Sequence, residues 1–281
     1  KMKRILSMVM MIVITITSFG FCSYNSNSVV SADTVSWPSG PGLVAETAVM
    51  IDASTGSILF DKKCHQKMYP ASITKIMTAL LTIENCNLDD TVTFSQSAID
   101  TLEPEAANIG AVVGEEMSVK DCLYALMLQS ANEVASALAE HVSGSIEEFA
   151  KLMNKRAKQA GANDAHFANA CGLFNKKHYV TAYDMAKIMQ AALQYPVFRE
   201  IINSSSYTLP TDNKRKEPLT ISQRHQMVQP WNSFHYDGII GGKTGFVNES
   251  GTTLVTSAQR DGMTLITVVL NSPGTNSYVD T

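Results

Sequence analysis

The chain has 281 residues, 45% of them apolar, 17% charged and 7% aromatic, with 16 glycines, 9 prolines and a net charge of −4. That length supports one large or two modest cores, and glycine and proline are too few for a disordered or collagen-like chain. The acidic balance argues against a nucleic-acid partner, and five cysteines are too sparse for a disulfide-stapled scaffold.

Residues 1–32 read as an export signal. Lys1, Lys3 and Arg4 form a basic start, Ile5 to Ala32 holds no charged residue, and Val30-Ser31-Ala32 offers small residues for cleavage ahead of Asp33. Thr15, Thr17 and Ser18 interrupt the apolar run, which favours cleavage over a permanent span of ~20 apolar residues. Phe21 is too bulky to precede a lipidated Cys22. Cleavage leaves 249 residues with 19 basic and 26 acidic side chains, an exported acidic domain of net charge −7 over 33–281. Cys64, Cys86, Cys122 and Cys171 share no metal-ligand spacing such as C-x-x-C and read as free, partly buried thiols, although an oxidising compartment leaves one disulfide open.

Thr47–Ile51 and Ser57–Phe60 read as strands joined by the turn Asp52-Ala-Ser-Thr-Gly56. After Pro70, the spacing of Ile73, Ile76, Met77, Leu80 and Leu81 predicts a helix. A second helical stretch opens near Ser118, breaks at Gln129-Ser130 and resumes with Val134, Leu138 and Val142. A third runs from Ile146 to Ala160 and stops at Gly161, and a fourth covers Ala182–Leu193. Gly238–Phe246, Thr252–Gln259 and Met263–Asn271 then read as strands, with Asp261-Gly262 as a hairpin turn. Strands at both chain ends with helices between them predict an α+β fold whose antiparallel sheet joins both termini, flanked by helices and a helical insert.

Three short motifs carry chemistry. Ser72 and Lys75 are three apart at a helix start, so hydroxyl and amine share a face, and a lysine of lowered pKa can activate the serine. The alternative is an N-terminal serine with a surface lysine beyond it. Ser130-Ala-Asn132 interrupts two good helix formers, either to aim a hydroxyl and an amide into a cleft or because Ser130 caps the next helix. Lys243-Thr244-Gly245 follows Gly241-Gly242 inside a strand, where glycine weakens pairing unless a ligand lies along the backbone. The alternative is a glycine-rich edge or bulge.

In this order the motifs resemble the penicillin-recognising serine enzymes, and among them the low-molecular-mass penicillin-binding proteins that are D-alanyl-D-alanine carboxypeptidases. The likeness covers residues 44–272 through Pro70–Ala79, Ser130–Asn132, His178–Ala186 and Gly242–Phe246. It implies a β-lactamase/DD-peptidase-like fold and a hydrolase acting on the D-Ala-D-Ala ends of peptidoglycan stem peptides, inhibited by β-lactams. In that mechanism Ser72 is the nucleophile, Lys75 its base and Ser130 the proton relay. Asn132, Lys243, Thr244 and Gly245 bind substrate, and the backbone N–H groups of Ser72 and Phe246 form the oxyanion hole. No metal or organic cofactor is implied.

Two departures from the family accompany the likeness. Tyr278 stands about where members often carry a carboxylate-binding arginine, which shifts that task towards Thr244 and Lys243. The sequence stops at Thr281, where members usually continue into a closing helix, a β-rich domain and a membrane-associating helix. Membrane contact is therefore expected only through the signal segment or an anchor outside this sequence. His178 reads as a brace for its loop, and His65, His141, His166, His225 and His235 show no ligand spacing. A β-lactamase is the nearest alternative, set back by the lack of an E-x-x-L-N sequence between Asn132 and Lys243. An inactive penicillin- or cell-wall-binding module is the other, set back by the presence of every motif residue.

Overall fold

The computed structural model describes residues 40–281. The expected export signal over 1–32 lies outside them. Strands β1 (Thr47–Asp52) and β2 (Ile58–Lys62) pair antiparallel, as the Asp52–Gly56 turn predicts. The chain then forms a 3₁₀ turn (Ala71–Thr74) running into α1 (Lys75–Asn85). After β3 (Thr91–Thr93), the short α2 (Gln96–Asp100) and β4 (Glu116–Ser118), the middle of the chain is helical. It comprises α3 (Val119–Tyr124), a π turn (Ala125–Gln129), α4 (Asn132–Ser143) and α5 (Ile146–Ala160). Next come α6 (Ala182–Ala192), α7 (Pro196–Asn203) and the hairpin β5 (Ser206–Leu209) and β6 (Leu219–Ser222). The chain closes with β7 (Ile239–Val247), β8 (Gly251–Arg260), β9 (Met263–Ser272) and α8 (Asn276–Val279).

The sheet runs in the order β2-β1-β9-β8-β7, so strands from both chain ends meet where β1 pairs antiparallel with β9. This is the predicted α+β arrangement. The β8–β9 turn places Asp261 at φ 51° and Gly262 at φ 80°, the left-handed pair a two-residue hairpin needs. Alternation along the strands divides the sheet into two faces. Val49, Ile51, Val255, Ile266 and Val268 enter the main core, whereas Ala48, Leu254 and Val269 join a smaller cluster with Tyr278.

On the main face, α6 lies across β1 and β9, and α1 packs between α4 and α6. Helix ends carry the expected chemistry. Ser145 caps α5 by accepting from the Glu148 N–H at 3.1 Å, and Gly161 ends it at φ 87°. Thr181 and Asp184 form a reciprocal capping box on α6. α7 and the β5–β6 hairpin are not anticipated by the sequence reading.

α1 sets the position of the site, because Ile76, Met77, Leu80 and Leu81 are fully buried along it. Leu80→Ala is therefore expected to cost about 2–5 kcal/mol, the usual range for emptying such a core position, and to lower the urea midpoint clearly. Leu59→Ala, at a side chain 53% exposed on β2, should change stability by less than ~0.5 kcal/mol. Equal midpoints for the two variants would contradict this account of the core.

Candidate active site

A cleft of about 700 Å³ opens between the edge of the sheet and the helical region. Ser72, Ser130, Asn132, Thr244, Gly245 and Phe246 line it, and Lys75 and Lys243 lie fully buried beside it. All three motifs therefore meet at one place.

The nucleophile turn is held from several sides. Ala71 adopts φ 52°, a left-handed conformation that costs an alanine energy and persists only where its surroundings enforce it. Thr253 on β8 donates to the Pro70 carbonyl at 2.8 Å. Gly172 (φ 92°) crosses so closely that a Cβ there would sit 1.9 Å from the Ala71 carbonyl oxygen. On the other side, a Cβ at Gly245 would lie 2.8 Å from the Ser72 nitrogen and 2.5 Å from the Thr253 hydroxyl. The glycine of the Lys-Thr-Gly motif is thus required because β7 passes directly against the Ser72 amide.

Lys75 Nζ has three polar neighbours: Ser72 Oγ at 3.1 Å, Asn132 Oδ1 at 2.6 Å and the Cys171 carbonyl at 2.7 Å. Burial lowers its pKa to about 8, with Arg224 acting in the same direction and Cys171 and Glu133 opposing it. The neighbours are not equivalent. The amide oxygen and the carbonyl only accept hydrogen bonds, so they occupy two N–H groups of a neutral lysine and leave its lone pair facing Ser72, the only one of the three able to donate. The arrangement can draw a proton from Ser72 Oγ. A surface lysine beyond an N-terminal serine is not what the structure shows.

Ser130 does not cap α4. Ala131 holds the N-cap position without a side-chain cap bond, and Ser130 closes the π turn at φ 66°. The wider turn satisfies the Ser130 N–H through the Ala125 carbonyl and delivers Ser130 and Asn132 to the cleft. The Asn132 N–H donates to the Ala107 carbonyl at 2.8 Å, which ties this turn to the 103–111 loop. Burial, with Lys75 and Arg224 nearby, holds the Lys243 ammonium well below its usual range, and its Nζ donates to the Thr244 carbonyl at 2.9 Å.

His178 braces the site as expected. Its Nδ1 accepts the Ala168 N–H at 3.2 Å, so Nε2 carries the proton and donates to Thr74 Oγ1 at 2.9 Å. Burial, reinforced by His166, lowers its pKa to about 3 and keeps it neutral. The four cysteines of the described residues are free thiols.

Two residues escaped the sequence reading. Arg224 lines the cleft together with Thr244 and Tyr278, so a guanidinium reaches this region from the segment after β6 rather than from the chain end. Tyr278 instead accepts the Gln226 N–H at 3.1 Å and donates to the Arg224 carbonyl at 3.3 Å, bracing that segment. Glu133 is fully buried, with Oε1 accepting the Ile109 N–H at 2.8 Å and Oε2 unpartnered. Burial pushes its carboxyl up, with its backbone hydrogen bonds and Lys75 opposing. Neither has a local sequence signal, since each acts from outside the three motifs.

Residues 34–274 match the D-alanyl-D-alanine carboxypeptidase family, peptidase S11. The D-alanyl-D-alanine carboxypeptidase DacF of Bacillus subtilis is 35% identical over 232 residues, covering 81% of this chain and 57% of that protein. DacB2 of Mycobacterium tuberculosis, also a D-alanyl-D-alanine carboxypeptidase, is 32% identical over 241 residues, covering 85% and 78%. Among solved structures, a mutant of the Streptomyces K15 DD-transpeptidase superimposes with a TM-score of 0.79 at 29% identity, over 86% of this chain and 96% of that one. The chain thus spans little more than half of the Bacillus relative and most of the Streptomyces structure. It belongs to the peptidase S11 family of D-alanyl-D-alanine carboxypeptidases.

Proposed function

We propose that the chain is a serine D-alanyl-D-alanine carboxypeptidase that removes the terminal D-alanine of peptidoglycan stem peptides through an acyl-enzyme on Ser72. Penicillins acylate the same hydroxyl. The observation that carries this reading is the Lys75 amine, buried with a pKa lowered to about 8 and 3.1 Å from Ser72 Oγ.

Ser72 Oγ gives its proton to neutral Lys75 and attacks the carbonyl between the two D-alanines. Negative charge on that oxygen is met by the backbone N–H groups of Ser72 and Phe246, a pairing supported by the close passage of Gly245 against the Ser72 amide; each such donor is worth ~3–4 kcal/mol in the transition state. Ser130 gives its proton to the departing amine and takes back the one held by Lys75, with Lys243 keeping that hydroxyl poised. Water then attacks the ester by the reverse proton path and regenerates Ser72. Asn132 holds the substrate amide, while Thr244 and Arg224 meet the terminal carboxylate along the Gly245 strand. No step calls on a metal or organic cofactor.

A peptidoglycan substrate and the signal-like sequence of residues 1–32 support a reaction outside the cytoplasm. Among the described residues no helix is long and apolar enough to cross a membrane.

Mass spectrometry of the chain with a D-Ala-D-Ala peptide and with a fluorescent penicillin tests this function. Free D-alanine and a long-lived penicillin adduct on the Ser72 peptide are expected, and Ser72→Ala should abolish the adduct while the protein stays folded. Rapid release of hydrolysed penicillin would mean a β-lactamase, no adduct an inactive module, and labelling of the variant at another serine a different nucleophile.

Carboxylate recognition gives a second test. A peptide ending in D-Ala-D-alaninamide should react about one to two powers of ten more slowly than the acid, the rate equivalent of losing roughly 1.5–3 kcal/mol of charged hydrogen bonding. Thr244→Val and Arg224→Ala should each shrink that difference. Equal rates for acid and amide in the unaltered chain would refute exo-carboxypeptidase recognition and point to an endopeptidase.

A further inference from the structure

Cys86, Asp90 and His141 converge away from the cleft. One ligand atom from each, a thiol sulfur, a carboxylate oxygen and an imidazole nitrogen, lies within 4.8 Å of the others. The topology explains the meeting. Lys75 and Asn132 open α1 and α4 and are hydrogen-bonded to each other, so these helices of 11 and 12 residues leave the active site side by side. Cys86 ends α1, His141 lies in the last turn of α4, and Asp90 precedes β3 in the loop from Cys86. At 1.5 Å per residue the cluster stands roughly 15 Å from the nucleophile.

The three residues are unlike a chance group of surface acids. Their donors are sulfur, nitrogen and oxygen, a mixed set that suits Zn²⁺-like ions and not the all-oxygen shells of Ca²⁺ or Mg²⁺. The carboxylate is already oriented: Asp90 Oδ2 accepts the Asn87 N–H at 2.8 Å, and Oδ1 accepts from the Asn87 side-chain amide at 3.3 Å. Oδ1, with that single hydrogen bond, keeps a lone pair, and outer hydrogen bonds of this kind are what hold metal-binding carboxylates in place. Cys86 and Asp90 are half-buried and His141 is exposed, so the cluster is open to an ion from solvent. Burial, with Asp90 adding to it, pushes the Cys86 thiol up.

We propose that Cys86, Asp90 and His141 bind a borderline-soft divalent metal ion, with Zn²⁺ as its representative, and so clamp the far end of α1 to the far end of α4. One thiolate and one carboxylate balance the ion's two charges, and a water completes the fourth position. Bonds of ~2.0–2.3 Å to a shared ion draw the donors slightly inward from their present separation, which rotation of the exposed His141 side chain supplies. Binding exchanges the Cys86 thiol proton, released to buffer, for a sulfur–metal bond, and nothing is oxidised or reduced. Affinity therefore rises with pH. The ion takes no part in the reaction at Ser72, and this inference does not depend on the proposed activity.

Titration of the full chain with Co²⁺ tests the site. The expected result is a near-ultraviolet thiolate-to-cobalt charge-transfer band that saturates at one ion per chain and is removed by Zn²⁺. Cys86→Ala should abolish the band. His141→Ala should weaken binding beyond the ~10–100-fold typical of losing an outer-shell partner. Both variants should keep penicillin labelling or, independently of that activity, the wild-type circular dichroism. In the unaltered chain, Zn²⁺ should also protect Cys86 from iodoacetamide, mapped by peptide mass, which keeps the test valid if a variant fails to fold. No band, an equal titration in either variant, or unprotected Cys86 at saturating Zn²⁺ would each overturn the assignment.

Discussion

The structure depends on one buried amine. Lys75 sits with no carboxylate hydrogen-bonded to it, and two of its three polar neighbours can only accept hydrogen bonds. Removing an ammonium from water is costly unless it is paired, so burial favours the neutral form. The acceptors then decide where the neutral amine's lone pair points. A lysine in water has neither property. The fold creates both by placing α1, the start of α4 and the 168–178 loop around a single nitrogen.

That placement explains features that carry a cost elsewhere. Ala71 and Ser130 are non-glycine residues in left-handed backbone at the two turns that meet at the site. The π turn before Ser130 breaks an otherwise regular helix, and Gly172 and Gly245 admit backbone approaches that a single methyl group would block. Strain of this kind persists when the surroundings over-determine it. Here the surroundings are the buried face of α1, the neutral His178 brace, and the Thr253 hydroxyl on the Pro70 carbonyl. The same rigidity fixes how β7 presents its free edge to the cleft.

Much of this was legible in the residues because local signals agreed with the global fold. The left-handed Asp261-Gly262 turn, the Ser145 and Gly161 limits of α5 and the apolar stripe after Pro70 each have a local physical cause, and each element appears where that cause places it. The three motifs were legible as chemistry only together and in order, since each taken alone has a structural alternative. The capping role weighed for Ser130 failed since Ser130 closes the π turn and Ala131 holds the N-cap position of α4. Arg224 and Glu133 were invisible because they reach the site from the segment after β6 and from beneath the Asn132 turn. The meeting of His141 with Cys86 was hidden for the same reason: it arises from two helices leaving the active site together, not from spacing along the chain.

The central claim, that burial makes Lys75 a base at near-neutral pH, is tested most directly by the pH dependence of Ser72 acylation. The proton must leave Lys75 before the amine can take one from Ser72, so the second-order rate with a penicillin should rise with pH and reach half its plateau near about 8. A rate that is flat across that region, or that climbs only towards the ordinary lysine value of 10.5, would contradict the account.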